Sequence, residues 1–183
     1  MAKPSMPLHD RDVRWARYAA LAAAIHVLEA SLPSPVPGIK PGLANVITLI
    51  VLCRHGWQAA CWVTALRVLL SALVLGTLFG PTFWLSLAGS LSALSVLAVA
   101  YACMTWLPRL APGPVGMSVL AALAHIQGQF WLAYVWFIPH PGLLSLLPVL
   151  GAAAVISGLL TGLLAAQVLE RMPAPTSTLP AKD

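Results

Sequence analysis

The sequence predicts an all-α integral membrane protein, a bundle of six transmembrane helices with a Pro/Gly-rich outward loop between helices 1 and 2. The chain of 183 residues is 60% hydrophobic and only 8% charged, whereas a soluble domain carries about 25% charged residues. Apolar runs separated by short polar or Pro/Gly segments fill most of the chain, and most of these runs are long enough to cross a bilayer. Together these observations indicate a single membrane domain at residues 13–171.

The two ends of the chain are polar. Residues 1–12 are expected to form a cytoplasmic N-terminal segment. The apolar run that follows lacks the features of a cleaved signal, so we interpret it as a retained first helix. Residues 172–183 are rich in Pro, Thr and Ala, which predicts a disordered cytoplasmic tail.

Helix 1 is predicted over residues 13–32. Ala16, Ala20 and Ala24 recur every four residues and therefore share one face. In lipid, small side chains at this spacing let another helix approach closely, although alanine is also an ordinary helix former. Both interpretations of the three alanines stay open.

Helix 2, predicted over residues 42–54, is shorter than the roughly 20 residues that a span requires. The stretch from Glu29 to Asn45 holds four prolines and two glycines, which exclude a regular helix because proline removes a backbone donor and glycine frees φ. We interpret Glu29 to Asn45 as a loop that covers a ligand pocket. Helix 2 must then be tilted, shielded by protein or supplemented by this loop.

The four remaining helices are separated by short turns that contain proline or glycine. They are predicted over residues 57–79, 83–107, 115–137 and 143–169. The fourth helix presents a face of small residues suited to tight helix packing, namely Ser86, Gly89, Ser90 and Ala93.

Basic residues predict the orientation of the bundle. Six spans place both termini on the same side, and eight of the ten Lys and Arg residues fall at helix ends on that side. Only Lys40 falls at the opposite ends. The positive-inside rule therefore puts both termini in the cytoplasm and predicts a multi-pass protein of the inner (cytoplasmic) membrane.

Two charged residues remain within the predicted membrane, Glu29 and Arg67. An isolated ion in hydrocarbon costs from about 3 to more than 10 kcal/mol, so both side chains are expected to face the bundle interior. Two interpretations stay open. The residues form a buried pair that fixes helix packing, or they take part directly in a ligand site.

Further polar residues extend the candidate ligand site. Lys40 lies at the outer mouth, where it can capture an anionic ligand or anchor at lipid headgroups. Asn45 can add a hydrogen bond to the same ligand. His125 and Gln129 lie one turn apart on the fifth helix, and His125 is suited either to ligand contact or to a hydrogen bond between helices.

Catalytic and nucleic-acid functions are disfavoured. Asp occurs only at positions 10, 12 and 183, so no Asp-rich motif can hold magnesium on a diphosphate. The chain has no phosphate-binding GxxxxGK[ST] motif and no recognisable nucleophile motif. His26, Glu29 and His125 are suitable metal ligands by type, but no compact spacing supports a metal site. Since the basic residues are scattered among helix ends, we expect no nucleic-acid partner, no catalytic residue, no metal and no cofactor.

A family resemblance covers most of the chain, roughly residues 28–171. Residues 37–45, Pro-Gly-Ile-Lys-Pro-Gly-Leu-Ala-Asn, resemble the signature of the Gx transporter family, whose members are often labelled heptaprenyl diphosphate synthase component I. The likeness continues through Arg67, residues 86–92 and residues 125–129. The family pattern has an aliphatic residue, glycine and asparagine where this chain has Pro41, Ser90 and Ile126, so the resemblance does not identify the substrate.

The family is similar to the membrane-embedded S components of energy-coupling-factor transporters. The resemblance implies an outward loop that closes a ligand pocket, and it implies that Ala16, Ala20 and Ala24 dock to a transmembrane coupling subunit. The expected function is therefore binding and transport of a small anionic or isoprenoid-related molecule, energised by a separate ATPase. The alternatives are an accessory subunit that recruits a prenyl diphosphate synthase or redox complex, and a lipid-modifying enzyme with Glu29 and His125 as acid and base.

Overall fold

The computed structural model describes residues 8–31, 42–106 and 112–172. Within these ranges the chain forms six α-helices and no strand, which confirms the predicted all-α class. The helices are α1 (Leu8–Ser31), α2 (Ala44–His55), α3 (Trp57–Val74), α4 (Pro81–Trp106), α5 (Pro114–Leu132) and α6 (Leu147–Arg171). The Pro/Gly-rich loop with Lys40 and the predicted tail from residue 173 onward lie outside the described residues.

Four helical segments of the described chain are long and apolar enough to cross a membrane. α2 is apolar but has only 12 residues, and the first half of α1 carries several charged residues. These helices indicate a multi-pass membrane protein, while the count of six spans remains a prediction. The four segments are Trp57–Val74, Pro81–Met104, Pro114–Phe137 and Pro141–Arg171.

α3 ends five residues earlier than predicted. Gly76 adopts a φ of 65°, and its amide donates to the carbonyl of Leu73 at 3.2 Å. The amide of Thr77 donates to the carbonyl of Ala72 at 2.9 Å. This pair of bonds is a Schellman motif, which ends a helix where glycine can take a positive φ. The apolar run continues past this point, so hydropathy alone does not reveal the end.

The observed end of the fifth helix and the observed start of the sixth differ from the predicted ones, because the helical pitch changes there. α5 continues into a π-helical turn, Ala133–Phe137, in which the amide of Ile138 donates to the carbonyl of Ala133 at 2.8 Å. α6 is preceded by a 3₁₀ helix, Pro141–Leu146, within which the predicted start of the sixth helix falls. The predicted helix 5 is therefore one continuous helical segment with a change of pitch near its end.

α2 is enclosed by other helices. Four consecutive residues at its centre, Leu49 to Leu52, are buried. Because consecutive helical residues point about 100° apart, their burial means that almost the whole circumference of α2 is covered. Of the three explanations for this short helix, the structure supports shielding by protein.

Glycines bring α5 and α6 into close contact. A Cβ atom added at Gly158 would lie 2.7 Å from the Cα of Val119, and one added at Gly162 would lie 2.8 Å from the Cα of Val115. Atoms cannot approach so closely, so any other residue at these positions would push the helices apart. This close packing is the arrangement that small residues allow between helices in lipid.

Candidate functional site

A cavity of about 270 Å³ lies inside one end of the bundle. Its wall comes from the second halves of α1, α3 and α5 and from the first halves of α2, α4 and α6. We call this end the loop end, because α1 ends there and α2 begins there. Among the described residues, the polar and charged lining consists of His26, Glu29, Asn45, Arg67, Thr82, Ser86, His125, Gln129 and Ser157.

The cavity brings together most of the residues that the sequence predicts to bind a ligand. Lys40 lies outside the described residues. That the assembled residues bind a ligand stays a prediction. Those that line the cavity are Glu29, Asn45, Arg67, His125 and Gln129.

Arg67 is held between α2 and α4. Its side chain is only 5% exposed. Nη1 donates a hydrogen bond to Oδ1 of Asn45 at 3.1 Å, and Nη2 donates to Oγ of Ser90 at 3.3 Å. Nε is buried and has no hydrogen-bond partner among the described residues. Since nearly all buried polar groups in folded proteins are paired, this donor needs a partner beyond the described residues, and a bound molecule is one that could supply it.

Glu29 connects α1 to the start of α2 and also lines the cavity. Its Oε1 accepts a hydrogen bond from the amide of Leu43, just before α2, at 2.6 Å. A carboxylate at a helix N-terminus pairs an otherwise unsatisfied amide and interacts favourably with the helix dipole. Within the described residues, the hydrogen bonds of Glu29 and Arg67 go to other groups and not to each other. A direct Glu29–Arg67 ion pair therefore stays a prediction.

His125 and Gln129 form a hydrogen-bonded pair on α5. The distance between Nε2 of Gln129 and Nε2 of His125 is 3.1 Å. Which of the two nitrogens donates depends on the imidazole tautomer. Nδ1 is buried and has no hydrogen-bond partner among the described residues. The cavity wall therefore holds a second buried nitrogen for which the described residues supply no partner.

The small face of α4 serves the site as well as helix packing. The sequence predicts only a packing role for Ser86, Gly89 and Ser90, yet Ser86 lines the cavity and Ser90 holds Arg67. Gly89 leaves room for the His125 side chain. The signal in the sequence is that two members of this small face carry hydroxyl groups, which are costly in hydrocarbon unless they have partners.

A smaller cavity of about 30 Å³ also borders Arg67. Two pairs of hydroxyl groups line it, Thr48 with Thr64 at 3.5 Å and Ser118 with Thr161 at 2.8 Å. Its volume exceeds the roughly 10–15 Å³ that one water needs, so a water molecule fits there. Sequence reasoning missed these residues because isolated Ser and Thr in apolar helices commonly bond to their own helix backbone.

The predicted partner face of α1 points away from the bundle. Ala16, Ala20 and Ala24 are exposed. By contrast, Ala19 and Ala23 are buried against the other helices. Ala16, Ala20 and Ala24 therefore do not pack within the described bundle, and their face is accessible to another protein.

Three possible metal ligands, His26, Glu29 and His125, line the same cavity. In the described part of the chain, no three His, Cys, Asp or Glu side chains are placed to hold a metal ion. The arrangement therefore supports hydrogen bonding and charge pairing with a bound molecule more directly than metal coordination.

Replacing Gly89 by alanine is expected to weaken ligand binding at least about tenfold while the protein still folds. The added Cβ would lie 2.8 Å from both Nε2 of His125 and Cγ of Gln129, so these side chains must move. They are the ends of flexible side chains, and alanine favours the helix by about 1 kcal/mol over glycine. Ligand retention and thermal unfolding of the purified variant measure the two effects separately. Full retention would show that the His125–Gln129 geometry does not matter for binding.

The fold and the site define a helical, multi-pass membrane protein with a polar cavity near one end of its bundle. Residues 18–168 match the family model described as heptaprenyl diphosphate synthase component I, so the chain belongs to this family. The match confirms the resemblance to this family, while the likeness to transporter S components stays a prediction. Neither a curated protein nor a solved structure matches the chain.

Proposed function

We propose that this protein is a membrane-embedded substrate-binding component that transports a small anionic or isoprenoid-related molecule. A separate ATPase with a transmembrane coupling subunit energises the transport, and the protein itself catalyses no reaction. The observation that supports this proposal is a pair of buried nitrogens, Arg67 Nε and His125 Nδ1, which have no partner among the described residues and belong to side chains that line one cavity. A molecule that forms hydrogen bonds with them offsets the cost of burying polar atoms without partners.

In this proposal each predicted residue has a distinct role. Asn45 and Arg67 bind the acceptor group of the ligand, and His125 with Gln129 contacts it from α5. Lys40 captures the ligand at the mouth of the cavity. Glu29 contacts the ligand and balances the charge of Arg67 in the same cavity.

We further propose that the loop end faces the outside of the inner membrane and that both termini are cytoplasmic. The support is the charge distribution, since eight basic residues lie on the predicted cytoplasmic side. The ligand then enters from outside.

Replacing Ala20 by tryptophan is expected to break the association with the coupling subunit and to leave ligand retention unchanged. Ala20 is exposed, so a large side chain there does not disturb the bundle, but it prevents close approach of a second helix. Co-purification of the ATPase and coupling subunit with the tagged protein measures the association, which we expect to fall at least about tenfold. Ala65→Trp, at an exposed alanine of α3, is the matched control. Equal co-purification of both variants would contradict the role of the α1 face.

The second candidate function is an accessory subunit that recruits a prenyl diphosphate synthase. The observation that favours it is the description of the family itself, which names a component of heptaprenyl diphosphate synthase. Affinity purification from native membranes separates the two candidates. A transport component brings down an ATPase module, whereas an accessory subunit brings down a soluble synthase and raises its product formation.

A further inference from the structure

We propose that the molecule bound in this cavity carries one anionic acceptor group together with a separate hydrogen-bond donor. It is then a zwitterion or an N–H-bearing monocarboxylate, and not a diphosphate. The inference rests on the proposed function, because it assigns the chemistry of the ligand to that same cavity.

The acceptor group is assigned from the donors on one part of the wall. Arg67 carries one positive charge and five N–H donors, of which one on Nη1 and one on Nη2 are paired with protein groups. Its Nε–H, like Nδ1 of His125, has no partner among the described residues. The remaining guanidinium donors suit a singly charged carboxylate, whose oxygens accept charge-assisted hydrogen bonds.

The donor group is assigned from Glu29. This carboxylate is 6% exposed and lines the same cavity as Arg67. An ionised carboxylate has about four acceptor sites and no donor, and the amide of Leu43 fills one of them. A ligand that carries only negative charge would therefore meet a charge of its own sign at Glu29. An ammonium or N–H group pairs with Glu29 instead.

The balance of charge leads to the same conclusion. In the described part of the wall, the formal charges of Arg67 and Glu29 cancel. A diphosphate would bring two or more negative charges to this neutral wall, more than Lys40, predicted at the mouth, could compensate, which is unfavourable in a buried site. A zwitterion adds no net charge. The apolar part of the wall, which includes Leu85, Ala122 and Ile126, suits the body of the molecule between its two polar groups.

The sign of the effect of Glu29→Gln tests the inference. Glutamine keeps a carbonyl oxygen for the amide of Leu43 but removes the charge. The full-length protein is released from nanodiscs made with native membranes, and native mass spectrometry quantifies the molecule it retains. Fragmentation and labelling selective for amines or carboxyls then identify the functional groups of that molecule. We expect both groups to be present, and we expect Glu29→Gln to lower retention at least about tenfold. Glu170→Gln, the same change at an exposed position of α6, should leave retention unchanged.

Each other outcome has a definite meaning. A retained diphosphate or other polyanion, or retention that is unchanged or higher in Glu29→Gln, overturns this inference and leaves the proposed function standing. If Glu29→Gln does not fold, the groups found on the molecule retained by the wild type decide the question. If the wild type retains no molecule and a small-molecule extract of the native cells does not raise its unfolding temperature, the proposed function itself is overturned.

Discussion

Replacing Arg67 by methionine is expected to abolish ligand retention and to lower the free energy of unfolding by about 3–5 kcal/mol. The change removes the donors to Asn45 and Ser90 and leaves Glu29 as an uncompensated buried charge. Loss of charge-assisted hydrogen bonds to the ligand, worth about 1.5–3 kcal/mol each, corresponds to a decrease in affinity of roughly 100-fold for two bonds at the lower value. Denaturant unfolding in micelles and native mass spectrometry measure the two effects.

The double variant Arg67→Met with Glu29→Gln separates folding from binding. Removing the lone carboxylate should recover most of the lost unfolding free energy, because the buried charge is gone. Ligand retention should not recover, since the guanidinium donors are still missing. If Arg67→Met alone folds and keeps full ligand retention and uptake, the assignment of this cavity as the binding site is wrong.

The positions of the helices could be predicted because their signals are local. Pro and Gly residues interrupt each apolar run within a few residues of the observed helix ends, as at Pro81 and Pro114. The burial of Glu29 and Arg67 could be predicted for a similar reason. An ion in an apolar run must find the interior of the bundle, whatever the arrangement of the helices.

The partners of these residues could not be predicted, because they depend on how distant helices pack. Ser90 lies 23 residues from Arg67 in sequence, yet its hydroxyl accepts a hydrogen bond from the guanidinium. Glu29 is an equally clear case, since its carboxylate pairs with a backbone amide 14 residues away, and a backbone amide leaves no mark in the side-chain sequence. A small face on α4 is compatible both with close packing and with a site, and only the neighbouring helices decide between the two.

Replacing Gly158 and Gly162 together by alanine is expected to cause the largest loss of stability outside the cavity. The two Cβ atoms would lie within 3 Å of the Cα atoms of Val119 and Val115, and backbone atoms cannot move aside as side chains can. Overpacking typically costs about 1–3 kcal/mol per site, so we expect a decrease in unfolding free energy of about 2–6 kcal/mol. Denaturant unfolding in micelles measures this decrease. The higher helix propensity of alanine acts in the opposite direction, because it stabilises the helix.

Gly151→Ala is the matched control, because it lies on the same helix and an added Cβ there meets nothing within 4 Å. Its unfolding free energy should stay unchanged or rise by up to about 1 kcal/mol, since only helix propensity changes. The Ser118–Thr161 hydrogen bond also joins α5 to α6, so separating the helices in the double variant should disturb the lining of both cavities and lower ligand retention too. If the double variant is as stable as Gly151→Ala, then α5 and α6 do not pack at the distance described here, and the cavity geometry that depends on it is also wrong.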